Sequence, residues 1–470
     1  MMIHGWGAWI RTREWRYQKP LPYRLATPQQ IKPKQSVARP YSRFETGAQS
    51  PNREIPPKLT ARVKNVFNTK ACRALSYSSD MLQTPVFTHV VIPKPVPLSE
   101  DMLQDHWPSH KAKPSICVPL QSCYFLLKTV FSVFAMLFLL ISFLVSAALC
   151  GIGLYLLNRL LPERFLAARM SSRSNHTTVA RQIGGLALIP AIIATLLIFA
   201  PDLEVNAQLA LCLSGASLLL WIVGGLDDRY ELSEIVRLGS QFIAAGVVVY
   251  GLGPDFRLLP ELLPHWLEAA LIVIALMVAI NVTNFMDGLD LMTAAGIGIP
   301  LAGIGILAAL GLAGLESGGI AIIAAGGILG FALFNRPPAT IFLGDSGSLP
   351  LGLITGTALI LLARETHIVV ALIVPLYYIL DAGTTIVMRL SQGENILKAH
   401  SKHAYQTAKR SGWSVLKVVG HVALLNLVLI ACAIALLALD NTITQVAFPL
   451  VAVVATLVLL LDFRGRFRKL

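Results

Sequence analysis

Three short clusters of acids and amides lie at the ends of apolar runs: Gly-Gly-Leu-Asp227-Asp228, Asn281-Val-Thr-Asn284-Phe-Met-Asp287-Gly-Leu-Asp290, and Phe342-Leu-Gly-Asp345-Ser346-Gly-Ser348. A carboxylate next to hydrocarbon is costly unless solvated, paired or metal-bound, so acids in such places are candidate functional groups. Asp227 and Asp228 are neighbours and, on a helix end, point about 100° apart. One can then face a cavity while the other pairs with a neighbour. The pair suits a general base, or a nucleophile, beside a metal; a helix terminus or solvated turn before Arg229 is the plain alternative. Asn281, Asn284, Asp287 and Asp290 recur every three residues and share a face where a helix persists. Their oxygens are the hard ligands that Mg²⁺ takes together with water and substrate phosphate. Asp345, flanked by Gly and Ser, resembles a phosphate-cradling loop, but no Walker-type lysine follows it, which argues against a P-loop NTPase. Clustered acids on one side of a membrane point to a shared magnesium and phosphate site.

The elements that must position these residues are read from hydropathy. Of 470 residues, 55% are hydrophobic and 14% charged, the balance of a polytopic membrane protein. From Tyr124 onward eleven apolar stretches approach the ~20 residues that cross a ~30 Å hydrocarbon core. They cover 124–157, 183–200, 207–226, 237–252, 266–285, 291–314, 318–335, 349–363, 367–388, 414–438 and 445–462. The predicted fold is all-α: a polytopic bundle of about 11 transmembrane helices. The loop 158–182 carries Arg159, Arg164, Arg169, Arg173 and Arg181, and the loop 389–413 carries Arg389, Lys398, Lys402, Lys409 and Arg410. The opposite loops Pro201–Asn206, Leu315–Gly319 and Leu439–Gln445 hold no Lys or Arg, so the basic side is cytoplasmic by the positive-inside rule. Counting spans puts all three acidic clusters on that side.

The basicity of the chain, net +13, is concentrated at one end: residues 1–122 hold 18 Lys/Arg against 7 Asp/Glu, and the other 348 residues hold 21 against 19. That stretch is Pro-rich and without helical or strand periodicity, which predicts a disordered extension ahead of a membrane-embedded domain over 123–470. No aromatic-basic platform is present, so nucleic acid is not an expected partner. The topology starts the first span on the extracytoplasmic side, and a basic tail there would have to be exported without a visible signal peptide. Residues 1 to about 115 are therefore expected to be dispensable, with Met102 a downstream start. The six cysteines form no CxxC pair, and those inside apolar runs read as buried thiols.

The three acidic motifs, in this order, resemble the polyprenyl-phosphate N-acetylhexosamine-1-phosphate transferases, the glycosyltransferase family 4 enzymes that include phospho-N-acetylmuramoyl-pentapeptide transferase. The resemblance runs from about Thr177 to Trp413 and includes Arg181-Gln-Ile-Gly184-Gly185, similar to the family's Arg-Gly-Gly stretch. Two departures stand out. Asp290 is followed by Leu291-Met292 where the family has Gly-Leu, and the loop that carries two or three histidines in the family reads His400-Ser-Lys402-His403-Ala-Tyr405-Gln406. His403 matches the first family histidine, and Tyr405 and Gln406 occupy the later positions.

The resemblance implies transfer of an N-acetylamino-sugar 1-phosphate from a UDP-sugar to undecaprenyl phosphate, with release of UMP, on the cytoplasmic face of a bacterial inner membrane. The product would feed a surface polysaccharide such as an O-antigen, in lipopolysaccharide or cell-wall biogenesis. The expected cofactor is Mg²⁺, with Mn²⁺ as a substitute, held by Asp345 and Asn284. Asp227 or Asp228 would act on the lipid phosphate. Arg181, Asn281, Asp287, Asp290, Ser346, His400, Lys402 and His403 are the expected substrate contacts, and a second copy of the chain is a candidate partner. The pentapeptide-bearing donor is the competing substrate, and an ion-coupled transporter is the competing class. A transporter would place its acids in mid-span, whereas these lie at span ends.

Overall fold

The computed structural model describes residues 120–162, 165–166, 180–394, 401–439 and 441–465, with side chains from residue 132 onward. The N-terminal extension, apart from a helical start at 120–122, and His400 lie outside them. The described chain is helical throughout, and its one isolated β-bridge joins Arg181 to Ile341.

The helices are α1 (Leu120–Leu160), α2 (Gly184–Phe199), α3 (Ala207–Tyr230), α4 (Glu234–Leu252), α5 (His265–Met286), α6 (Ile299–Ala309), α7 (Leu315–Ala332), α8 (Asp345–Glu365), α9 (Ile368–Ile373), α10 (Leu376–Ser391), α11 (Ala404–Arg410), α12 (Val415–Ala438) and α13 (Thr442–Phe463). A π-helical turn at Ala294–Gly298 leads into α6. Eight of these, α1, α3, α4, α5, α7, α8, α12 and α13, are long and apolar enough to cross a membrane; α2 and the segment Ala294–Ala309 are shorter apolar helices. Each of the eleven apolar stretches thus corresponds to helix, and the chain is a polytopic helical bundle. At 41 residues, α1 would span about 60 Å at 1.5 Å per residue, well beyond a ~30 Å core.

The boundaries differ from the hydropathy reading where a local feature overrides it. The stretch 367–388 is two helices because Pro375 has no N–H to continue the ladder from α9 into α10. The third span runs on to Tyr230, so Asp227 and Asp228 lie in its last turn, and Glu231 ends it in a left-handed conformation with φ 53°. The eighth begins at Asp345, four residues before its apolar run. Asp345 is therefore in a helix's first turn and not in a loop.

Helix α8 is the axis of the bundle. It packs against α2, α3, α5 and α7, and nearly all of its side chains are buried, including Ser346, Ser348 and Thr357. Exposed Leu, Ile, Val and Phe instead cover the outer faces of α1, α3, α4, α5, α12 and α13. In water such a surface would aggregate; in lipid it is the solvent-facing side. The first turn of α8 is the meeting point of everything that follows.

Candidate active site

Helix α8 starts against the end of α3 because glycine allows it. A Cβ on Gly224 would stand 2.3 Å from the carbonyl oxygen of Asp345, so only glycine lets the two backbones approach this closely. Gly344, at φ +72°, turns the chain into the helix. The exposed N–H groups of that first turn need acceptors, and Asp228 supplies them: Oδ1 accepts from the Asp345 N–H at 2.8 Å and Oδ2 from the Ser346 N–H at 3.1 Å. Asp228 thus caps α8 from a neighbouring helix, with its negative charge at the positive end of the helix dipole.

Asp227 faces differently. It is buried and accepts from the backbone N–H of Leu232 and from Arg237 of α4, whose Nη1 lies 3.1 Å from Oδ2. The same guanidinium nitrogen is 3.9 Å from Asp345 Oδ2. Two carboxylates from two helices therefore converge on one positive charge. From α5, the amide of Asn284 donates to Asp345 Oδ1 and to Ser348 Oγ, both at 2.8 Å. The three acidic motifs of the sequence are one site, built from the C-terminal turns of α3 and α5 and the first turn of α8.

The residues around it divide into those that face the acids and those that hold the frame. Asn281, one turn before Asn284, hydrogen-bonds Gln241 of α4 at 2.6 Å and the Met277 carbonyl at 2.8 Å, tying α4 to α5. Asp290 is buried and accepts from the Ala339 N–H at 3.1 Å. Asn335 beside it accepts from Leu291 N–H and donates to the Ile341 carbonyl. Together they fasten the 287–291 turn to the segment leading into Asp345. Arg181 directs its guanidinium at the carbonyls of Asn158, Leu161 and Pro162 at the end of α1, and its backbone pairs with Thr340 and Phe342. Here it closes the C-terminus of α1. The Ser346 side chain is fully buried.

Asp287 follows the last turn of α5 and accepts from the Thr293 hydroxyl. Burial pushes its carboxyl up to about 7, the charge of Asp290 adding to the effect and the Thr293 hydrogen bond opposing it.

The loop histidine arrives by another route. His403 is buried at the start of α11, its Nδ1 3.7 Å from Asp381 of α10 and its ring stacked 6.0 Å from that of Tyr405. Lys402 pairs with Glu394, which also pairs with Arg389 at 3.2 Å. Both sites are thus held within the loop and α10. Two residues the sequence reading passed over belong here. Arg237 opened the counted run 237–252, and Asp381 lay inside the run 367–388; a lone arginine beside the acid motifs and a lone mid-span acid were the available signals.

The expected metal was Mg²⁺ on Asp345 and Asn284. Among the described residues no three His, Cys, Asp or Glu side chains gather in a metal-holding cage. Mg²⁺ needs only one or two carboxylates alongside water and phosphate, and Asp227 and Asp345, both directed at one cationic group, fit that demand. The amide nitrogen of Asn284 is turned to Asp345 and holds that carboxylate in place.

A match to the family described as glycosyl transferase family 4 spans residues 210–363, from α3 to α8, and so takes in all three acidic motifs. A probable undecaprenyl-phosphate N-acetylglucosaminyl 1-phosphate transferase of Bacillus subtilis is 27% identical over 56% of this chain and 76% of its own length. A phospho-N-acetylmuramoyl-pentapeptide-transferase of Symbiobacterium thermophilum is 30% identical over 57% of this chain and 85% of its own. A decaprenyl-phosphate N-acetylglucosaminephosphotransferase of Mycobacterium tuberculosis is 30% identical over 42% of this chain and 55% of its own. With its acids gathered at the start of α8 and relatives of this kind over most of the bundle, the chain belongs to glycosyl transferase family 4.

Proposed function

We propose that this protein transfers an N-acetylamino-sugar 1-phosphate from a UDP-sugar to undecaprenyl phosphate, releasing UMP, as the first membrane step of a bacterial surface glycan such as an O-antigen. The observation that carries this reading is the convergence of Asp227 and Asp345 on Arg237 at the mouth of the bundle. Phosphoryl transfer demands charge neutralisation and in-line placement more than covalent chemistry, and carboxylates beside a cation at a membrane surface supply both. The Bacillus and Mycobacterium relatives are named for transfers of the same kind.

A phosphate oxygen of the lipid attacks the β-phosphorus of the UDP-sugar, forming one P–O bond as the bond to the bridging oxygen breaks and UMP departs. Asp227 takes the proton, if the lipid phosphate carries one, and orients the attacking oxygen. Asp228 is the weaker candidate for that role because both its oxygens already accept backbone N–H groups. Asp345, held by Asn284, and Asp227 are the residues that would hold Mg²⁺, whose chemistry is to neutralise the diphosphate. Arg237 lies within reach of the same charge. The polyprenyl tail lies along the apolar exterior, so its phosphate meets a cytosolic nucleotide at the interface, in the inner membrane with the site facing the cytoplasm.

The Symbiobacterium relative favours a second reading, in which the donor carries a muramoyl pentapeptide. Against it stands a loop with Tyr405 and Gln406 where the family has further histidines. Incubating the purified protein with undecaprenyl phosphate, Mg²⁺ and a panel of donors separates the two. UMP release from a simple UDP-N-acetylhexosamine supports the first reading; release from the pentapeptide donor alone overturns it.

A further inference from the structure

Asp381 is a fully buried acid in α10, and it belongs to none of the acidic motifs. Every group around it is a donor or can be one. Tyr377 Oη donates to Oδ2 at 3.3 Å, Thr385 Oγ1 to Oδ1 at 3.3 Å, and the Ala404 N–H to Oδ1 at 2.8 Å, with His403 Nδ1 3.7 Å away. Two of these partners come from its own helix, but Ala404 and His403 lie more than twenty residues on, in the loop. The acid is therefore a fastening point at which the loop is fixed to the bundle.

The loop passes that position on to the acid site. His403 stacks on Tyr405, and Gln406 closes the turn by accepting from the His403 N–H at 3.3 Å. Tyr405, itself fully buried, donates its hydroxyl to the Phe285 carbonyl at 3.0 Å, one residue after Asn284. A Cβ on Gly288 would stand 2.2 Å from that hydroxyl. The glycine in the Asp287-Gly-Leu-Asp290 turn thus accommodates Tyr405. Burial, reinforced by the charges of Asp381 and Asp287, holds the Tyr405 phenol well above its usual range, so it stays a donor.

We propose that Asp381 is a positioning residue which, through Ala404, His403 and Tyr405, docks the 401–413 segment onto the end of α5 and thereby sets the side of the site that receives the nucleoside diphosphate-sugar. The lipid phosphate, approaching from the hydrocarbon, does not depend on this contact. The inference rests on the transferase reading above, but its physical core, the docking of the loop, does not.

The test uses the full-length protein in detergent, with Asp381→Asn, Tyr405→Phe and the double variant. Steady-state transfer is measured with whichever UDP-sugar of the panel supports it, and hydrogen exchange is followed in peptides covering residues 404–410 and α8. Asp381→Asn is expected to lower kcat/KM for the nucleotide sugar about tenfold while KM for undecaprenyl phosphate stays within about twofold, and Tyr405→Phe to act in the same direction. Because both act through one contact, the double variant is expected to be no worse than the more severe single variant. Exchange in 404–410 is expected to rise about tenfold with α8 unchanged. Wild-type exchange of the loop in Asp381→Asn, an equal loss for both substrates, or additive losses overturn the proposal. If Asp381→Asn does not fold, Tyr405→Phe decides alone by the same two readouts. If no donor is turned over by the unaltered protein, the transferase reading fails while the exchange arm still decides the docking.

Discussion

The two adjacent aspartates have different work because their surroundings differ. Asp228 is committed to the N–H groups of Asp345 and Ser346, whereas Asp227 shares Arg237 with Asp345. Asp227→Asn is expected to cut turnover by at least ~10², the scale of a lost general base, with the protein still folded in the membrane. Asp228→Asn keeps one acceptor and is expected to cost about 1 kcal/mol of stability, as for a weakened helix cap, in addition to its effect on rate. Thermal melts and single-turnover rates of the two variants check this; equal stability and equal rate loss would remove the distinction. Asp287 gives a pH signature. Its folded pKa, about 7, lies above the ~3.9 of an unfolded aspartate. Its contribution to stability is thus complete below about pH 4 and is lost as pH rises through 7. Melting temperatures of the protein in detergent should fall across that window, and Asp287→Asn should flatten the fall. Identical pH profiles for the two proteins would contradict the burial that raises the group.

At the scale of the helix, each of the eleven apolar runs falls on helix, one of them on two, because lipid demands length and hydropathy and little else. Their ends were less visible. Asp345 opens α8 because Asp228 of another helix caps it, a contact 117 residues away in the chain, and no local pattern encodes that. Pro375 splits the ninth stretch without interrupting its hydropathy. Asp381 escaped notice for a related reason: its partner Ala404 comes from a polar loop beyond the helix. The motif acids were legible because carboxylates clustered at span ends are costly beside hydrocarbon, while the framing roles of Asn281, Asp290 and Arg181 emerge only once their partners Gln241, Ala339 and Asn158 are placed. The close contact of α3 with α8 yields a prediction at this scale. Gly224→Ala drives a methyl into the Asp345 carbonyl and is expected to cost about 1–3 kcal/mol as overpacking, with loss of activity because the two acid-bearing turns separate. Gly215→Ala, on the same helix with open space around it, is the control. Comparable melting and activity for both variants would show that the helices tolerate the separation.

The whole molecule places a charged reaction at the edge of hydrocarbon by building its walls from apolar helices and gathering its acids at their ends. Such a site holds several negative groups against one arginine, and a negatively charged donor can enter only with further positive charge. Activity is therefore expected to vanish in EDTA and to return with Mg²⁺ or Mn²⁺, while Asp345→Ala stays inactive at any metal concentration; full activity in chelator would remove the metal from the account. The central claim is that sugar and phosphate move together. It is tested most directly with a UDP-N-acetylhexosamine labelled separately in the sugar and in the β-phosphate, incubated with the purified protein, undecaprenyl phosphate and Mg²⁺. Both labels should enter the lipid phase in equal amount, leaving unlabelled UMP in water. Sugar label in the lipid with the β-phosphate left behind as UDP, or neither label transferred from any UDP-sugar, would contradict it.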